Sequence, residues 1–167
     1  MILLKGIKKG LSLFYTYLVK RKAKKYGYPI RVNSLSFVSR TTTLGKNVNF
    51  NGMHISGCGN VIIGNNFHSG KDCLIISQNH NFNHGEKIPY DETYICKNII
   101  IENNVWLGDR VIVLGGTTIG EGAIIQAGSV VVSNIPKYAI AGGHPAKVFS
   151  NRDVEHYKRL KLENKFH

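Results

Sequence analysis

Between Ile95 and Pro136 the chain repeats every six residues, as ICKNII, IENNVW, LGDRVI, VLGGTT, IGEGAI, IQAGSV and VVSNIP. Each unit opens on an aliphatic residue: Ile95, Ile101, Leu107, Val113, Ile119, Ile125 and Val131. The fifth positions (Ile99, Val105, Val111, Thr117, Ala123, Ser129 and Ile135) are small or β-branched. A period of six fits neither a helix at about 3.6 residues nor an ordinary strand at two. It fits a triangular β-solenoid in which each unit is one flat side and three units close a coil. The first positions then point inward and stack as ladders. Gly and Asn gather at the third and fourth positions (Asn103, Asn104, Gly115, Gly116, Gly122 and Gly128), where a corner calls for positive φ.

Upstream, from Ile30 to His80, the same beat is looser. Leu44-Gly45-Lys46-Asn47-Val48 and Ile63-Gly64-Asn65-Asn66-Phe67 are 19 residues apart, one more than a coil of about 18, so one residue is inserted at a corner. After the unit Ile75–His80 the frame breaks. Fourteen mostly polar residues, Asn81–Tyr94, with Gly85 and Pro89 among them, precede Ile95. A long insertion in so periodic a chain reads as a projecting binding loop.

The net charge is +12, and its distribution is uneven. Nine Lys or Arg fall within residues 1–31, and no Asp or Glu precedes Asp72. Met1–Tyr28 reads as a basic amphipathic helix with Leu4, Ile7, Leu11, Phe14 and Leu18 as its apolar stripe, stopped by Gly27 and Pro29. Two placements remain open: the stripe packs on the solenoid's open end, or residues 1–25 lie on an anionic membrane surface. No nucleic-acid recognition motif accompanies the charge, and nucleic acid is not an expected partner. No apolar run reaches the ~18 residues of a membrane span. Cys58, Cys73 and Cys96 show no disulfide or metal spacing, which points to a reducing cytoplasm. The expected organisation is an N-terminal helix over 1–29, the solenoid over 30–150 with its loop 81–94, and a short helical tail over 151–167 that packs along the solenoid.

The pattern [LIV]-G-x-x-x-x, seen at Ile63-Gly64, Leu107-Gly108 and Ile119-Gly120, resembles the hexapeptide-repeat acyltransferases. The resemblance covers roughly residues 40–150. Ser77-Gln78-Asn79-His80-Asn81-Phe82, Asn103-Asn104-Val105-Trp106-Leu107-Gly108 and Ala141-Gly142-Gly143-His144-Pro145-Ala146-Lys147 occur in the family's order, and they are most similar to its maltose, galactoside, nodulation-factor and polysaccharide O-acetyltransferase branch. It implies a left-handed parallel β-helix, a homotrimer with sites between adjacent prisms, acetyl-CoA as co-substrate, no metal, and a saccharide acceptor. A cytoplasmic enzyme, peripheral on the inner face of a bacterial membrane where the helix lies on the leaflet, is the implied setting. The sugar would belong to a surface polysaccharide or its precursor. The same motifs also occur in relatives that N-acetylate amino sugar nucleotides or inactivate antibiotics.

Carried over residue by residue, His80 is the general base, because an imidazole of pKa near 6.5 suits removal of a sugar hydroxyl proton at neutral pH. No Cys or Ser acyl-enzyme is required. Glu92 either orients His80 or merely solvates the loop, and His84 is the competing imidazole. Asn51 or Asn49 matches the acceptor-binding Asn. Trp106 covers the pocket and contacts the cofactor arm, or else contacts a neighbouring subunit. Gly108, Ala127, Gly128 and Gly142-Gly143 let an extended pantetheine approach the backbone, and Lys147 meets a phosphate as a point charge. Val132-Ser133 and Ser150 stand where many relatives carry Thr-Lys and Arg, which implies either fewer phosphate contacts or the use of Arg152 and Lys137 instead. A zinc-binding relative of the same prism would need His54, His68 and His80, which lie 14 and 12 residues apart.

Overall fold

A computed structural model describes the backbone of residues 2–167 and the side chains from residue 6 onward. Met1 and the side chains of Leu4 and Lys5 fall outside that description. The predicted parallel β-solenoid is present as three sheets that form the sides of a prism. The first face runs Lys25–Tyr26, Thr42–Leu44, Val61–Ile63, Ile99–Ile101 and Thr118–Ile119. The second runs Ile30–Ser34, Val48–Asn51, His68–Lys71, Trp106–Leu107, Ile124–Ile125 and Ala139–Gly143, with Ala146–Asn151 added antiparallel at its end. The third runs His54–Ser56, Leu74–Ile76, Ile112–Leu114 and Val130–Val131.

The six-residue beat explains the core directly. On the first face Leu44, Ile63, Ile101 and Ile119 are register partners in one buried ladder. On the third, Ile55, Ile75, Val113 and Val131 form another. The extra residue between Leu44 and Ile63 is absorbed without loss of pairing. Positive φ falls at the fourth position of the later units: Asn104, Arg110, Gly116, Gly122 and Gly128. The third-position Asn103 does other work, accepting the N–H of Asn65 at 2.7 Å. Asn47, Asn66 and Asn104 also stack, each carboxamide donating to the next at 3.0 and 2.8 Å. Half-buried amides paired in this way tie successive coils at one edge.

Three expectations need correction. The first unit of the clear repeat is not a rung: Ile95 lies in a two-stranded antiparallel hairpin, Gln78–His80 with Tyr94–Cys96. Coil pairing stops at Ser77 and resumes through Lys97, whose N–H reaches the Ser77 carbonyl at 2.8 Å. The insertion therefore includes both strands of a stem, because Gln78–His80 and Tyr94–Cys96 satisfy each other's backbone groups.

The N-terminal helix, α1 (Ile2–Lys22), ends six residues before the expected Tyr28. The N–H groups of Lys24 and Gly27 are taken by the carbonyls of Thr42 and Leu44, so the chain joins the first coil there. Of the two placements left open for the stripe, packing on the solenoid is not the one seen. Thr16 and Val19 are buried on the strand Ile30–Ser34, while Ile7, Leu11 and Phe14 stay exposed.

The third correction concerns the cysteines. Cys58 and Cys96 form a disulfide across 38 residues, with Cα atoms 5.2 Å apart. That separation equals the offset between stacked positions on either side of the insertion, such as Val61 and Ile99. The spacing signal was hidden by the hairpin, and the inference of a reducing compartment loses its basis. Among the described residues no helix is long and apolar enough to cross a membrane. The tail forms α2 (Val154–Leu162), capped by Asp153 accepting from the His156 N–H at 2.9 Å. It lies along the prism's side, and Tyr157 donates to Glu121 at 3.0 Å and accepts from Asn104 at 2.6 Å.

Candidate active site

Ser77 is the last inward residue of its coil, fully buried, with its hydroxyl on the Ser56 carbonyl at 3.0 Å. The chain then leaves the prism along the edge between the third and first faces. His80 ends the outgoing strand opposite Tyr94. Its imidazole is stacked on Tyr90, with ring centroids 3.6 Å apart and planes at 20°. Tyr94 covers it from 4.7 Å. The Nδ1 atom is buried without a hydrogen-bond partner, which leaves Nε2 as the nitrogen open to a substrate.

The loop beyond is internally wired. The Asp91 carboxylate accepts the Thr93 hydroxyl at 2.6 Å and the N–H groups of Glu86 and Thr93 at 2.9 Å. The Thr93 hydroxyl and these two N–H groups hold its carboxyl below the usual range. The disulfide from Cys96 to Cys58 fastens the returning strand to the preceding coil. Glu92 does not orient His80 within the protomer. It is solvent-facing and bound to Lys87 at 2.7 Å, whose ammonium holds its carboxyl below the ordinary glutamate value. His84 is exposed on the loop, and its N–H reaches the Asn81 side chain at 3.3 Å.

The other candidates gather on the second face. Arg31, Asn49, His68, Trp106, Ile124 and Ile140 are successive register partners, one per coil, in a single outward column. Asn33, which the sequence reading passed over, donates its carboxamide to Asn49 at 2.9 Å and Asn51 at 3.0 Å. Trp106 is 50% exposed. Together with His68, His156, Tyr157, Arg152 and Lys165 it lines an open groove of about 670 Å³ between the face and α2. Burial, then the nearby His167 and Arg31 charges, lowers the His68 pKa.

In a triangular prism the edge between the third and first faces lies opposite the second face. His80 is therefore separated from Trp106, Asn49 and Asn51 by the packed core of its own protomer. His54 belongs to the third face and His68 to the second, so the structure does not bring them together with His80.

The remaining candidates are placed by coil packing. A Cβ at Gly108 would meet the Ala127 backbone N at 2.5 Å, so the rung above already requires glycine there. Gly128 turns a corner at φ +72° with open space beside it. Gly143 (φ +99°) and Lys147 flank the turn joining Ala139–Gly143 to Ala146–Asn151, with Lys147 exposed and outside every ion pair among the described residues. Arg152 is committed elsewhere: its Nε donates to the Gly122 carbonyl at 2.6 Å and its guanidinium lies over the Tyr157 ring. Lys137 pairs with Glu102 at 3.7 Å. The one free cysteine, Cys73, is buried and its thiol is pushed up to about 11, mainly by burial, so it is a poor nucleophile.

Comparison with known proteins agrees with this architecture. Residues 98–133 match the family described as bacterial transferase hexapeptide (six repeats). WbbJ of Escherichia coli (strain K12), assigned to O-acetyl transfer in lipopolysaccharide biosynthesis, is 35% identical over 110 residues, which cover 62% of this chain and 56% of WbbJ. Among solved structures, a hexapeptide-repeat acetyltransferase of Vibrio cholerae superposes with TM-score 0.63 at 23% identity, covering 86% of this chain and 80% of that one. A galactoside acetyltransferase solved in complex with coenzyme A has TM-score 0.61 at 25% identity, covering 81% and 63%. The chain spans about half of WbbJ, and 29% of a Staphylococcus aureus (strain MRSA252) relative that it matches at 51% identity over 57 residues.

Proposed function

The chain belongs to the bacterial hexapeptide-repeat transferases, and from that premise we propose that it transfers an acetyl group from acetyl-CoA to a saccharide hydroxyl with His80 as general base. The carrying observation is the setting of His80, on the stem of the single long insertion, with Nδ1 buried and two tyrosine rings against it. Nε2 takes the proton from the sugar hydroxyl as the oxygen attacks the thioester carbonyl. The tetrahedral intermediate collapses by breaking the C–S bond, and the imidazolium returns the proton to the departing thiolate. General-base assistance of this kind is worth about 10²–10⁴-fold. Tyr90 and Tyr94 offer flat apolar faces on which a sugar ring can lie.

Half of the site is missing from one protomer. His80 stands on one edge, and the column with Asn49 and Trp106, with Asn51 beside it on the second face, lies across the core from it. A head-to-tail ring of three prisms sets each hairpin against the second face of a neighbour and closes on itself. A homotrimer with its sites at the subunit boundaries is the assembly that this supports. There Asn49 and Asn51 would hold the acceptor, and Trp106 with the exposed Lys147 would flank the coenzyme arm. Gly108, Ala127 and Gly143 keep the neighbouring wall free of side chains. Glu92 and His84 belong to the loop that meets the acceptor, Glu92 as a solvating group. The likeness to the galactoside enzyme supports a saccharide acceptor, and that to WbbJ supports one from a surface polysaccharide or its precursor.

The test is subunit complementation. His80→Ala and Trp106→Ala chains, each inactive alone, are unfolded together and reassembled. Release of coenzyme A thiol is then followed with hydroxyl and amino sugars as acceptors. Recovery of about a quarter to a third of wild-type activity per assembled trimer is expected on simple statistical mixing. No recovery, with both variants assembling normally, would refute a shared site. Activity confined to amino sugars would refute O-transfer.

A further inference from the structure

The transfer reaction makes no use of α1, whose two faces are inverted relative to an ordinary surface helix. At about 100° per residue, Ser12, Thr16, Val19 and Ala23 share one side. This modest side is the one that docks: Val19 is buried, and the Thr16 hydroxyl accepts the Val32 N–H at 3.0 Å. Ile7, Leu11, Phe14 and Leu18 share the opposite side, and the first three are 54%, 45% and 54% exposed. A helix that only capped the solenoid would bury its greasier stripe. Here the protein keeps the polar-leaning face and turns the apolar one outward.

The stripe leads at its C-terminal end into an open groove of about 740 Å³ between α1 and the first coils. Leu18 and Phe37 supply its apolar wall, and Arg21, Lys22, Lys24 and Arg40 line the rest. Nothing compensates these cations. The first acidic residue of the chain is Asp72, and among the described residues no ion pair involves a cation before Lys87. An apolar stripe continuous with an uncompensated cationic groove matches a surface that is apolar inside and anionic at its rim.

We propose that α1 is an interfacial anchor whose Ile7–Leu18 stripe lies in an anionic phospholipid leaflet, with Arg21, Lys22, Lys24 and Arg40 on the phosphate headgroups. A second copy that met this surface with its own α1 is a poor occupant, because it would bring cations against cations with no carboxylate between them; contact with another face of a neighbour is the outcome that the oligomer-size measurement reads. Nucleic acid would answer the charge but leave the stripe in water. The anchor holds a soluble-looking solenoid at the leaflet without a spanning helix. The inference does not rest on the acetyl-transfer reading, and each can fail without the other.

The full-length chain is floated with vesicles of phosphatidylglycerol and phosphatidylcholine, and with vesicles of phosphatidylcholine alone. Binding only to the anionic vesicles at low salt, and release as salt rises and screens the surface, is expected. Arg21→Gln and Arg40→Gln should each weaken partition about fivefold. Phe14→Glu should abolish it with the far-UV spectrum and oligomer size unchanged. Absence of binding at low salt would overturn the proposal, as would equal binding to both vesicle types or binding indifferent to the three substitutions. A change of oligomer size in Phe14→Glu would overturn it too, by assigning the stripe to contacts between copies.

Discussion

The coils and the hairpin that interrupts them are held together in different ways. In the coils every inward residue is one member of a ladder: Ile75 lies between Ile55 and Val113, and Ile101 between Ile63 and Ile119. Each rung is supported from both sides, as in repeat proteins generally. The hairpin has no ladder. It rests on a three-residue stem, the Cys58–Cys96 link, the Asp91 hub and the stacking of Tyr90 on His80. The ladders and the proposed chemistry thus fall in separate parts of the molecule, and substitutions can be chosen that test one without the other.

The sharpest contrast sets His80→Ala against Ile75→Ala. The first should cut acetyl transfer by about 10²–10⁴-fold while the thermal midpoint stays put. The second should cost about 2–5 kcal/mol of stability, read by urea denaturation, with activity per folded molecule nearly unchanged below the transition. If His80→Ala melted the coils, or Ile75→Ala silenced folded protein, the division of labour would be wrong.

A smaller effect is expected at the hairpin's root. Cys58→Ser frees the returning strand at Cys96 from the preceding coil. Linking residues this far apart stabilises by about 2–4 kcal/mol in typical cases, and here the loss should appear locally. Limited proteolysis should cut within 81–93 faster than in the wild type, while amide exchange in the coils is unchanged. Uniform destabilisation of the coils would show that the link serves the solenoid instead.

The smallest effect belongs to the seam under α2. Burial would raise the Glu121 carboxyl, but hydrogen bonds from Lys161 and Tyr157, with the Lys161 charge, bring it below the usual range. A depressed carboxyl stabilises fully above the unfolded value of about 4.3 and loses that contribution as pH falls through the lower folded value. The pair with Lys161 is partly exposed, so the effect should stay within about 1 kcal/mol. Amide protection over 154–162, corrected for the slower intrinsic exchange in acid, should fall between about pH 5 and pH 3, and Glu121→Gln should flatten that dependence.

Much of this was legible in the residue order, and what was not has a physical cause. The first and fifth positions of the hexads named the buried ladders because each unit forms one side by itself. Ile95 misled because a hairpin stem can carry an aliphatic residue at the same phase as a rung. Cys58 and Cys96 looked unrelated because the insertion doubles the apparent coil length between them. His80 was found through the frame break and its resemblance, whereas Tyr90 and Tyr94 carried no periodic mark and emerged only when the loop folded back over the imidazole. Glu92 lies two residues from Tyr94 in sequence, but its carboxylate faces Lys87.

The sequence alone determined the solenoid, its corners, the site of its interruption and the concentration of positive charge at its start. These follow from local periodicity, which each short segment expresses without its neighbours. Only the tertiary structure decided that His80 and Trp106 lie on opposite sides of the prism, that the cysteines meet, and that α1 docks by Thr16 and Val19 with Phe14 left outside. Those outcomes depend on how coils register across an insertion and on which of two helix faces fits the first strand of the second face, and neither is written in any one stretch of the chain.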